Sequence, residues 1–213
     1  MGIIRPAKCK ICRRVQKKLF LKGEKCLTQK CPMVTKPYPP GIRGKRRKGM
    51  LSEYGRELLE KQKLRHWYNL QEGQFKKYVK EVLEESRKKG GDATEELIKR
   101  LESRLDNIVF RLGFADSRSQ ARQLVSHGHF LVNGRPVNIP SMELRKGDVV
   151  EVKPSSKKKE VFKRLALKFK KYQPPSWLKL NPNEMKGEVI GVPTVQEASP
   201  PAQISSIFEF YSK

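Results

Sequence analysis

The residues of this chain best suited to chemistry are its four cysteines, Cys9, Cys12, Cys26 and Cys31, spaced C-x2-C-x13-C-x4-C. Two close pairs separated by a loop allow four thiolates to converge tetrahedrally on one ion. Between Cys9 and Cys31 the only acidic or imidazole side chain is Glu24, so the expected donor set is all sulfur, with no position suggested for an activated water. That pattern predicts one structural zinc ion. An iron–sulfur cluster, which also takes four thiolates, is the lesser alternative. Disulfides are the competing use of four cysteines, but an intracellular basic chain seldom relies on them.

Other catalytic chemistry is poorly supplied. His66, His127 and His129 are the only histidines, and none lies in a nucleotide-loop, H-E-x-x-H or G-x-S-x-G context. The sequence therefore predicts a binding protein and not an enzyme.

Charge points to the ligand. The 47 Lys and Arg outnumber the 22 Asp and Glu, a formal net charge of +25 over 213 residues, far more than solubility requires and suited to a polyanion. Residues 1–50 hold 16 Lys or Arg against the single acid Glu24, so the charge is polarised toward that end. A membrane surface would also attract cations, but no apolar run approaches the roughly 18 residues needed to cross a bilayer. Pro6 stands where a myristoylation signal needs Ser or Thr, and the first residues lack the apolar stretch of a secretory signal. Nucleic acid is the expected partner, in a soluble intracellular protein with no small-molecule substrate.

The frame for these residues is legible from periodicity. Lys36-Pro37-Tyr38-Pro39-Pro40-Gly41 cannot be helix or central strand, and it leads into the basic run Gly44 to Gly49. Ser52 is the expected N-cap of a helix running to about Trp67. Phe75, Tyr78, Val79, Val82 and Leu83 form one stripe of a second helix, ended by Gly90-Gly91. Asp92 and Glu95 resemble a capping box opening a third helix, with Leu97, Ile98, Leu101, Leu105, Ile108, Val109 and Leu112 on one face as far as Gly113. Ser117 should cap a short helix from Arg118 to Ser126, forming a helical hairpin. Its Arg118 and Arg122, four apart, would share a face with their guanidinium forks toward a phosphate backbone. Phe130–Val132 and Arg135–Val137 flank Asn133-Gly134, a strong hairpin signal. Val149–Val152 is a further strand, and Lys157 to Tyr172 an amphipathic helix with Phe162, Leu165, Ala166 and Phe169 inward. Residues 177–180 and 188–192 are expected as two more strands, and Ile204, Ile207, Phe208 and Tyr211 as a final helical turn.

The run Ser103-Arg104-Leu105-Asp106-Asn107, Arg111-Leu112-Gly113-Phe114-Ala115, Ser117-Arg118, Gln120 to Val125, His127-Gly128-His129 and Val132-Asn133-Gly134, with Pro140-Ser141 and Gly147-Asp148, resembles the S-four RNA-binding module. The cysteines, Tyr38-Pro39-Pro40-Gly41, Lys61 to Arg65, Gln74-Phe75 and Phe208 to Ser212 are similar to the cysteine-bearing bacterial form of the small-subunit ribosomal family that carries this module. Ile42-Arg43-Gly44 departs from the Gln-His-Gly frequent there, and Met142 replaces a usual aromatic.

The resemblance implies an α+β chain with a metal-binding N-terminal segment over 1–50. A helical domain over 51–100 is joined by 203–213, and an inserted RNA-binding domain over 101–202 has a helical hairpin and a four- or five-stranded, mostly antiparallel sheet. It implies a constituent of the small ribosomal subunit that binds a multi-helix junction in the 5′ domain of 16S-type rRNA, nucleates assembly and contributes to translational accuracy. Ribosomal proteins S-five and S-three are the implied neighbours, with mRNA near the entry channel. The location implied is the small subunit in the cytoplasm, and an organelle with bacterial-type ribosomes fits equally. The positions expected to touch RNA are Arg13, Arg14, Arg43, Lys45, Arg46, Arg47, Lys48, Lys61, Lys63, Arg65, Arg104, Arg118, Arg122, Gln123, His127 and His129. The competing readings are an accessory module of an RNA-modifying enzyme, which needs a separate catalytic domain, and a zinc-containing DNA-binding regulator, which needs a recognition helix.

Overall fold

The computed structural model describes residues 7–41, 49–169 and 172–212. Arg43, Lys45, Arg46, Arg47, Lys48, Lys170 and Lys171 lie outside these residues, as do the side chains of Ala166 and Lys168. In chain order, α1 is Lys8–Val15, α2 Pro32–Thr35, α3 Glu53–Trp67, α4 Glu72–Lys89, α5 Ala93–Glu102, α6 Leu105–Arg111 and α7 Arg118–Ser126. Strands β1 Phe130–Val132, β2 Arg135–Val137 and β3 Val149–Val152 follow, then α8 Pro154–Lys157 and α9 Glu160–Phe169. Strands β4 Leu178–Asn181 and β5 Lys186–Val189 precede α10 Val195–Ala198 and α11 Ile204–Ser212. A 3-10 turn, Gly23–Cys26, lies between α1 and α2. The chain divides into two compact units, Met1–Thr94 with Pro200–Lys213, and Glu95–Ser199.

In the first unit Ser52 caps α3, its hydroxyl accepting the Gly55 N–H at 3.2 Å. Gly90, at φ +70°, ends α4 in the left-handed conformation that a Cβ would strain. Phe75, Val79 and Val82 are its buried stripe. The apolar face of α11 lies on α3 and α4, where Phe210 stacks on Tyr54 at 5.4 Å and Tyr211 on Phe75 at 6.3 Å between centroids.

The second unit is a five-stranded antiparallel sheet in the order β2-β1-β3-β5-β4, with α6 and α7 packed as a hairpin. Alternate strand residues Phe130, Val132, Val150, Val152, Leu178 and Val189 enter the core with Ile108, Leu112, Phe114, Phe162 and Phe169. Gly187 on β5 is required by close approach: a Cβ there would lie 2.4 Å from the Leu112 side chain.

Several expectations are corrected. The long helix expected from Asp92 to Gly113 is two helices. Ser103–Leu105 instead joins residues 142–144, through the Leu105 N–H to Met142 carbonyl bond at 2.8 Å and the Leu144 N–H to Ser103 carbonyl bond at 2.8 Å. Arg104 is thereby drawn into extended backbone and full burial. The Asp92 carboxylate accepts the Thr94 N–H at 2.8 Å, one residue short of the expected capping-box bond. The helix expected from Lys157 opens at Glu160, because Lys153-Pro154 starts a separate short turn, α8. The strand expected at 188–192 is Lys186–Val189, leaving Ile190 and Val192 exposed. Helices α1, α2 and α10 were not anticipated; α10 carries a full Thr194–Glu197 capping box.

Candidate nucleic-acid interface and cysteine clip

Cys9 and Cys12 lie on α1, Cys26 closes the 3-10 turn and Cys31 precedes α2. Cys12, Cys26 and Cys31 are buried, and none of the four cysteines is in a disulfide. Cys12 packs with Val15 and Leu19 in a small cluster backed by Ile11, Leu21, Met33 and Trp67. Burial pushes the Cys12 thiol above its ordinary range, against a backbone hydrogen bond from Leu19, and Cys26, Cys9 and Cys31 are near enough to push it further. The Lys22 N–H donates to the Cys26 sulfur at 3.3 Å.

Among the described residues, no three Cys, His, Asp or Glu side chains are drawn together closely enough to hold an ion as they stand. The donor types fit zinc, since Cys12 lies within electrostatic reach of the other three thiols. Neutral thiols do not attract one another, and it is the ion that draws deprotonated sulfurs to about 2.3 Å from itself.

The cations expected to meet RNA fall into two groups. The first is turned into the protein. Arg104 is fully buried, its Nε and Nη2 donating to the Asp106 carboxylate at 3.0 and 2.8 Å. Arg118 is 8% exposed; its Nε donates to Asn107 Oδ1 at 2.7 Å, and its guanidinium lies 4.6 Å from the Phe110 ring centre. Arg118 also lies 3.9 Å from Glu102 Oε1, in a network around that buried carboxylate, which receives Arg111 at 2.9 and 2.7 Å and Asn107 at 2.6 Å. The expectation that Arg118 and Arg122 share one RNA-facing surface is corrected accordingly: Arg118 serves the scaffold and Arg122 sits half-buried on α7.

Lys61 is buried and bonded to Glu72 at 2.6 Å, beneath the Phe210 ring. Lys63 pairs with Glu60 at 2.5 Å, and Arg65 lies 3.4 Å from Glu72 and donates to His66 Nε2 at 3.0 Å. Burial would raise the Glu72 carboxyl, but hydrogen bonds from Lys61 and Tyr211 and the charges of Lys61 and Arg65 outweigh it and hold the carboxyl below its ordinary range. Burial and the adjacent Arg65 cation lower the His66 imidazole to about 4. Trp67, one of the aromatics interleaved with these cations, packs against the cysteine cluster.

The second group is presented. Arg14 is exposed in the last turn of α1. At the other unit's α7–β1 corner, Gln123 and His127 are exposed and His129 is half-buried, with the two imidazole centres 6.1 Å apart. His129 Nδ1 meets Ser156 Oγ at 2.9 Å, and its carbonyl accepts the Lys153 N–H at 2.9 Å. Burial lowers the His129 pKa, helped by the neighbouring Lys159, His127 and Lys153. The exposed Lys153 and Lys159 thus extend the corner. They were not among the expected contacts, because strand pairing and the α8 turn bring them to His129 from more than twenty residues away.

Residues 4–102 match the family model described as Ribosomal protein S4/S9 N-terminal domain, and residues 103–150 the model described as S4 domain. Proteins named small ribosomal subunit protein uS4 are similar along nearly the whole length. That of Caldicellulosiruptor bescii is 48% identical, that of Thermodesulfovibrio yellowstonii 46% and that of Thermotoga maritima 45%, each alignment covering 96% of either chain.

Proposed function

The chain belongs to the small ribosomal subunit protein uS4 family, and from that premise we propose how its two units serve the subunit. It is a structural, non-enzymatic constituent of the small ribosomal subunit that binds small-subunit rRNA. In the finer reading it grips a multi-helix junction in the 5′ domain of 16S-type rRNA early in assembly, and it contributes to accuracy beside S-five, S-three and the entering mRNA. The observation carrying this reading is the Arg122, Gln123, His127, His129 corner, widened by Lys153 and Lys159, on the module that matches the S4 domain.

A-form RNA hides its base edges in a deep groove, so a junction binder works through phosphates, 2′-hydroxyls and splayed nucleotides. A rigid corner of imidazole, guanidinium and ammonium donors suits that task. Arg14 and the run Arg43, Lys45, Arg46, Arg47 and Lys48 supply further charge, and the inward cations Arg104, Arg118 and Lys61 set the shape that presents it. Cys9, Cys12, Cys26 and Cys31 would hold one structural zinc ion, or with less support an iron–sulfur cluster, and the bound ion would order a segment poor in apolar residues.

The test is binding of the zinc-loaded protein to a 5′-domain rRNA fragment, competed with duplex DNA and tRNA as salt is raised. Affinity should fall on the order of a thousandfold between 50 and 200 mM salt while the junction preference persists. Equal affinity for every polyanion would overturn the junction reading.

A further inference from the structure

Arg13 stands in the most basic part of the chain, yet its guanidinium is turned inward. Its Nε donates to the Tyr38 carbonyl at 2.8 Å, its Nη2 to the Pro39 carbonyl at 3.4 Å, and the group lies 4.9 Å from the Tyr38 ring centre. Pro37, Pro39 and Pro40 have no N–H, so this turn cannot be fixed by a backbone ladder. A planar fork that meets two successive carbonyls while lying over the Tyr38 ring replaces it, and a lysine ammonium cannot reproduce that geometry.

Arg13 follows Cys12 directly on α1, whose buried Cys12 and Val15 anchor the helix to the rest of its unit. The clamp therefore ties the cysteine-bearing helix to a turn about 25 residues downstream. The chain leaves that turn at exposed Gly41, φ +119°, and the next cations in sequence are Arg43, Lys45, Arg46, Arg47 and Lys48.

We propose that Arg13 is a positioning residue for RNA binding, holding the Tyr38–Pro40 turn from which the basic run departs, and not a phosphate contact. The proposal rests on the rRNA-binding reading above, but its structural half can be tested without RNA.

The experiment uses full-length, zinc-loaded protein as wild type, Arg13→Ala, Arg13→Lys, Tyr38→Ala and the Arg13→Ala/Tyr38→Ala pair, with zinc content and the thermal transition as folding controls. Amide hydrogen exchange over residues 33–41, without RNA, reads the clamp directly. It should quicken in Arg13→Ala and equally in Arg13→Lys. With the 5′-domain RNA, both variants should lose about tenfold in affinity. The double variant should lose little more than Arg13→Ala, and the salt slope of Arg13→Lys should match the wild type. If Lys restores affinity and Arg13→Ala lowers the salt slope by about 0.7–0.9, Arg13 touches phosphate and the proposal fails. Unchanged exchange in both variants also overturns it. Should wild type show no junction preference while exchange still quickens, the RNA reading fails and the clamp survives. If Arg13→Ala does not fold, Arg13→Lys with Tyr38→Ala carries the same comparison.

Discussion

The cysteine-bearing segment and the module Glu95–Ser199 are held together by different means. Among the described residues the first gathers Cys12, Val15 and Leu19 as its buried cluster, whereas the second has a core cluster of twenty buried apolar side chains. Ordering backbone costs roughly 1–2 kcal/mol per residue, so a cluster that small cannot by itself fix α1, the 3-10 turn, α2 and the proline turn. On the reading proposed above, an ion held by the four thiols would, with the Arg13 fork, take the place of a core. The larger module has apolar burial in surplus and places an ionic network inside it, with Glu102 fully buried against Arg111 and Asn107 and Arg104 sealed on Asp106. Arginine thus serves as a tie over part-buried carbonyls in one region and as internal framework in the other. Net charge says nothing about which.

The sharpest way to break this contrast is to load the protein with the zinc ion proposed above and then chelate it. Chelation should abolish hydrogen-exchange protection across residues 7–41 and leave protection over Glu95–Ser199 intact, because apparent site energies of about 10–16 kcal/mol are available only to the segment. Loss of protection in both regions would mean that the module is not self-sufficient. Next in size is Glu102→Ala, which removes the buried carboxylate that Arg111 and Asn107 donate to and leaves half-buried Arg111 with the Ala198 carbonyl; about 3–5 kcal/mol of stability should disappear in chemical unfolding. A loss under about 1 kcal/mol would show that the network decorates the core without organising it.

Acidification probes the first unit. His66 is neutral in the folded state down to about pH 4, while in the unfolded chain it protonates near 6.5. Its contribution is therefore complete above about pH 6.5, declines as pH falls toward 4 and is constant below. At full weight the gap between 6.5 and 4 is worth about 3.4 kcal/mol, and solvent screening of the half-buried ring reduces the decline to about 2–3 kcal/mol. Comparing urea midpoints of wild type and His66→Gln across that range should show a shallower fall in the variant, and parallel curves would remove His66 from the account. Smallest is Gly187→Ala, where the new Cβ meets Leu112 at 2.4 Å; overpacking there should cost about 1–3 kcal/mol in the thermal transition.

Much of the frame was legible because local signals agreed with the final packing. Ser52, Ser117, Gly90 and Asn133-Gly134 stand where their backbone preferences place them. The break between α5 and α6 was not legible, since apolar periodicity runs unbroken from Leu97 to Leu112. Its cause is the pairing of Ser103–Leu105 with residues about forty positions away. The same limit governs the candidate site. Arg118 and Lys61 look like surface cations until Asn107 and Glu72 are brought beside them, and Lys153 and Lys159 look unremarkable until the sheet delivers them to His129. A tighter signal lay in Glu102-x-Arg104-x-Asp106-Asn107, where acids and an amide alternate with a cation between apolar Leu101 and Ile108.

The division of the chain has a consequence for its birth. Helix α11 completes the first unit over α3 and α4, yet it follows α4 by about a hundred residues. A ribosome making this protein releases α3 and α4 early, with Phe75 and Lys61 still lacking the aromatic cover of Tyr211 and Phe210. The intervening module is continuous in sequence and can close while synthesis proceeds. Translation therefore finishes the middle before the beginning, and a transcript cut short within α11 would yield a well-made centre attached to an open first unit.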